Sequence, residues 1–64
     1  MIKARMEFPE GTSQEAAFNG ALTFAHEHNA RVEFEHNGIH LVVKPGKTYE
    51  QLVAIYERKL SEDE

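Results

Sequence analysis

The chain has 64 residues, 41% of them apolar, with 7 basic and 11 acidic side chains and a formal net charge of −4. That length holds one domain, which buries only about 60% of the surface its unfolded form exposes. The lack of cysteine excludes disulfides and thiolate metal sites, the acidic balance argues against clamping a phosphate backbone, and no apolar run approaches the ~20 residues that span a bilayer.

The N-terminal MIKARMEF interleaves charged and apolar residues and lacks a signal peptide's hydrophobic region, so a soluble, cytoplasmic protein is expected. Residues 2 to 8 alternate strictly. Ile2, Ala4, Met6 and Phe8 share one face, and Lys3, Arg5 and Glu7 share the other. Period two with one apolar face predicts a half-buried strand. Pro9, Glu10 and Gly11 end it.

Thr12 and Glu15 have the spacing of a capping box. They predict a helix from near residue 13 to near residue 28, with Asn29 as its stop. Phe18, Ala21, Leu22 and Ala25 form its apolar stripe. Phe24 lies on the flank, about 120° around the axis from Phe18.

The segment RVEFEHNGIHLVVK carries the clearest local signal. Asn37-Gly38 suits a two-residue type I′ turn, whose central residues both need positive φ. Counting outward pairs His36 with Ile39, Phe34 with Leu41 and Val32 with Val43 on the apolar face. Glu35 then faces His40, Glu33 faces Val42 and Arg31 faces Lys44 on the polar face. Turn chemistry and alternation give the same register.

A second helix is predicted from about Tyr49 to Leu60, with Tyr49, Leu52, Val53, Tyr56 and Leu60 as its stripe and Ile55 well off centre. The junction before it, VVKPGKTYEQL, has the order of parts found in a phosphate-binding loop. Such a loop needs a glycine five residues before Gly46, where Leu41 stands, and Pro45 removes an N–H donor. Pro45-Gly46 is expected to make a turn, and Thr48 with Gln51 a capping box.

The four histidines lack metal-site spacing. His26 and His28 lie two apart, roughly 200° around a helix, and His36 and His40 point to opposite faces of the hairpin. A site using His28 and His36 would need the end of the first helix to meet the hairpin tip. Glu35 opposite His40 is expected to be a surface ion pair worth roughly 0–1 kcal/mol.

The expected fold class is α+β, with order β-α-β-β-α. Both helices cover one face of a three-stranded sheet, and the apolar IHLVV strand, the third, is placed at its centre. Residues 1–60 form the single domain, and residues 61–64 are expected to be an acidic disordered tail. The element order resembles, in topology alone, that of the small DNA-damage-inducible inhibitors that bind the RecA recombinase, and it carries over no residues.

The expected function is that of a small acidic protein-binding or regulatory module, such as an inhibitor of a larger enzyme or nucleoprotein. No catalytic, cofactor-binding or metal-binding residue is assigned, and no catalysis, cofactor or membrane association is expected. Phe24, Val42, Ile55, Glu33, Glu35 and His40 are the candidate protein-binding residues. The partner is an unidentified protein or, by homo-oligomerisation through open strand edges, a second copy. The alternatives are a metal-binding or small enzyme subunit using the histidines, and a nucleic-acid binder using Lys3, Arg5, Arg31 and Lys44. The acidic neighbours Glu7, Glu33 and Glu35 disfavour the last.

Overall fold

The fold is taken from a computed structural model, which describes residues 2–62. Its elements run β1 (Ile2–Arg5), α1 (Gln14–His28), β2 (Ala30–His36), β3 (Ile39–Val43) and α2 (Tyr49–Glu62). This is the expected α+β order, built on a mixed three-stranded sheet.

The hairpin register is the one counted from Asn37-Gly38, including Phe34 opposite Leu41 and Glu33 opposite Val42. Asn37 and Gly38 both have positive φ, at 51° and 81°. At the second junction Gly46 has φ 91°, and the Lys47 amide bonds the Lys44 carbonyl at 3.1 Å. Proline second and glycine third suit a type II turn.

The strand order differs from the expectation. It is β1-β2-β3, so β2 is central and β3 lies at an edge. β1 pairs with β2, in parallel and with Ala4 beside Val32, rather than with β3. A β-α-β crossover commonly lays its two strands side by side. Apolarity misled because centrality here concerns backbone pairing only. Ile39, Leu41 and Val43 gain their burial from the helix layer, while β2 keeps Arg31, Glu33 and Glu35 on its uncovered side.

The core is a single cluster in which Ala17, Phe18, Ala21 and Ala25 of α1 and Leu52 and Tyr56 of α2 meet Val32, Phe34, Ile39, Leu41 and Val43. Both helices therefore cover the same face of the sheet. Phe18 sits at its centre, with the rings of Phe34, His36, Tyr49 and Tyr56 at centroid distances of 5.5–6.0 Å. Phe8 reaches Phe34 edge-on at 5.7 Å. It fits because residue 20 is glycine: a Cβ there would stand 3.3 Å from the Phe8 ring.

The helix ends refine the expectations. Ser13, not Thr12, caps α1, its Oγ accepting the Ala16 amide at 3.2 Å. Thr12 instead donates its hydroxyl to the Pro9 carbonyl at 2.6 Å, closing the preceding turn. Asn29 ends α1 in the left-handed conformation, as expected. The Thr48–Gln51 box forms in both directions, at 3.0 and 3.2 Å. Helix α2 continues through Ser61 and Glu62, where an acidic disordered tail was expected. Residues 63 and 64 of that tail lie outside the described residues. Leu60, placed on the buried stripe, is 41% exposed in the last turn of α2.

Candidate functional site

The helix-free face of the sheet is the surface that the fold leaves uncovered. Alternation along the strands sends every second side chain there. With the inward set fixed by Val32, Phe34, Leu41 and Val43, the outward set is Lys3 and Arg5 from β1, Arg31, Glu33 and Glu35 from β2, and His40 and Val42 from β3. Lys3, Arg5, Glu35 and His40 are exposed, and Arg31, Glu33 and Val42 are half-buried.

The charges on this face are sorted. Register places Lys3 beside Arg31 at one end, while Arg5 lies beside Glu33 nearer the middle. Like charges directly opposite one another repel, so the Lys3–Arg31 end is a local cationic spot on an acidic protein. Arg31 Nε is buried there without a hydrogen-bond partner among the described residues. His40 does not take its directly opposed residue, Glu35, as its partner. Its Nε2 lies 3.3 Å from Glu33 Oε1 on the diagonal. The two side chains are 49% and 39% exposed, so the contact adds roughly 0–1 kcal/mol. Val42 stands opposite Glu33 as the apolar side chain of the face.

The six candidate contact residues therefore divide. Glu33, Glu35, His40 and Val42 share the open face. Phe24 and Ile55 lie in the helix layer, half-buried and packed against the core. The Phe24 ring also stacks on His28, one turn further along α1, at 4.3 Å. These two are flank residues of the core rather than part of the open-face group. The sequence also places Lys3, Arg5 and Arg31 on this face, though they are not among the six candidate contact residues. Strict alternation in β1 was the signal for Lys3 and Arg5, and the hairpin register was the signal for Arg31.

The histidines are dispersed. His28 closes α1 just before β2 begins, and His36 ends β2. Six strand steps of ~3.3 Å separate those ends by about 20 Å. His36 instead packs against Phe18 and Tyr56, each at 5.6 Å. Among the described residues no three His, Asp or Glu side chains are grouped to hold a metal ion. Surface depressions are open, one of about 340 Å³ between the hairpin and Lys59 and one of about 280 Å³ between the hairpin tip and the Phe8–Thr12 loop.

The two sheet edges are unlike. In a two-residue hairpin the His36–Ile39 pair is bonded, so the backbone groups of His40 and Val42 point away from β2. Lys59 reaches across from α2 and donates its Nζ to the His40 carbonyl at 2.7 Å. No comparable contact meets β1 among the described residues, and Ile2 on it is 62% exposed. No described helix is long and apolar enough to cross a membrane. Comparison of the chain with protein-family models, curated proteins and solved structures finds no match.

Proposed function

We propose that the chain is a small protein-binding module, without catalysis of its own, that offers its helix-free sheet face and adjoining edge to a partner protein. The observation that supports this is the placement of both helices on one side of the sheet. It leaves six polar side chains and Val42 on a face that no helix covers. Transient protein interfaces are about as polar as the rest of a protein surface, so a mostly charged face with one apolar side chain is compatible with docking. Size and acidity suit a cytoplasmic regulator that docks on a larger enzyme or nucleoprotein, by analogy.

The test is site-specific photo-crosslinking in the source cells. A photoreactive residue at Val42 should yield one dominant adduct with another protein. The same residue at Glu57, on the exposed side of α2, should not. Equal products from both positions, or none from Val42, would refute the reading.

A further inference from the structure

The two outer strands differ in what they leave unpaired, and the difference names both the docking edge and the chemistry of what docks. The Met6 amide donates to the Glu33 carbonyl at 2.9 Å, continuing the parallel ladder just past β1. Successive backbone groups of a strand point to opposite sides. If Met6 points towards β2, so do Ala4 and Ile2. The N–H and C=O groups of Lys3 and Arg5 then point outward, four groups on an edge that nothing covers among the described residues. The same two residues carry the exposed cations of the open face. Neither has an ion-pair partner among the described residues.

In an antiparallel addition, a residue that exchanges both backbone bonds has its partner directly opposite, on the same face, at a Cα separation of about 5.5 Å. The residues opposite Lys3 and Arg5 would thus be both hydrogen-bonded to them and within reach of their charges. Opposite charges across strands are favourable, and like charges are not. The residue between falls opposite Ala4, on the helix side, where the exposed Ile2 side chain continues an apolar strip. Resting on the protein-binding reading above, we infer that β1 accepts an extended segment of a partner protein, antiparallel, with acidic residues at alternate positions and an apolar residue between them.

β2, which runs parallel on the other side of β1, sets Glu33 beside Arg5 but Arg31 beside Lys3, so it meets only one of the two cations with a carboxylate. Over the four residues of β1 a second copy brings cation against cation. Within β1, every antiparallel register that pairs the outward-pointing residues sets Lys3 against Arg5, or one of them against itself. The β3 edge is the less open of the two, because the Lys59 ammonium already occupies the His40 carbonyl.

The probe is a seven-residue peptide alternating glutamate with valine, titrated into the 15N-labelled protein. The largest amide shifts should fall at residues 3–6, and the Lys3 and Arg5 amides should gain protection from hydrogen exchange. A lysine–valine peptide should bind at least tenfold more weakly. So should a glutamate–valine peptide N-methylated on its pairing amides, which separates strand addition from charge attraction. The double variant Lys3→Glu/Arg5→Glu changes only exposed positions, and it should reverse the preference between the two charged peptides.

Absence of shifts at millimolar peptide, equal binding of the lysine peptide, or shifts centred on β3 would overturn the β1 assignment. The crosslinking experiment separates this failure from failure of the wider reading. A Val42 adduct that survives the double variant would retain the binding face and reject the β1 edge. Loss of the adduct in the double variant supports both.

Discussion

Replacing Phe18 measures how much of this small domain rests on one ring cluster. Phe18 is fully buried, and four rings surround it at 5.5–6.0 Å. Truncation of such a residue to alanine costs about 3–5 kcal/mol, against a total stability of roughly 3–10 kcal/mol for a domain this long. Phe18→Ala is therefore expected to be largely unfolded. Phe18→Leu keeps an apolar side chain but loses the edge-on aromatic contacts, at about 1–2 kcal/mol. A chain of 64 residues unfolds with an entropy of about 0.13 kcal/mol/K, so each kcal/mol moves Tm by about 7 °C. Phe18→Leu should then melt about 7–15 °C below the parent, followed by circular dichroism at 222 nm (about the usual helix band). Phe24→Ala is the control. Its half-buried ring should cost about 1 kcal/mol. Refutation would be a Phe18→Leu melt within about 3 °C of the parent, or a Phe24→Ala loss larger than that of Phe18→Leu.

Three further outcomes follow from individual contacts. Thr48→Ala and Gln51→Ala should each cost about 1 kcal/mol, and the double variant should cost less than their sum because each bond is half of one capping box; urea midpoints measure this. Gly46→Ala meets no neighbouring atom, so its cost is backbone strain at φ 91° alone, about 1 kcal/mol or more, and the thermal midpoint should fall while the native spectrum is unchanged. Lys59→Met removes the donor from the His40 carbonyl; sedimentation should show concentration-dependent self-association that the parent lacks, and identical sedimentation of the two would refute a guarding role for Lys59.

Local chemistry was legible in the sequence wherever a residue's role is set by its immediate neighbours. Asn37-Gly38 demanded positive φ and so fixed the hairpin register through Val43. Thr48 and Gln51 are three residues apart, and their bonds depend on nothing distant. Competition between adjacent groups was harder to read. Thr12 and Ser13 could both cap α1, and the Pro9 carbonyl decided between them by taking the Thr12 hydroxyl. Likewise His40 had two carboxylates in reach, one opposite and one diagonal, and it took the diagonal one.

The least legible feature was the strand order, because it depends on long-range pairing rather than on any residue's own character. β3 is rich in Ile, Leu and Val yet needs only one covered face and one paired neighbour. Alternation along the hairpin put Glu33, Glu35, His40 and Val42 on one side, and the strand register does the same. Phe24 and Ile55 were separated from them by the third dimension: a flank position on a helix wheel is still within reach of a core when two helices lie side by side. The sequence also could not show that one strand edge carries a lysine from α2 across it while the other does not.

That single ammonium on the His40 carbonyl makes the two edges unequal in what they can accept. A sheet with one edge available can terminate a stack of strands but cannot propagate it, so assembly through such an edge halts at a pair. Trimming the last turn of α2 by a protease would remove Lys59 and give each molecule two docking edges. A partner could then engage either edge, and a one-sided binder would have become a two-sided one.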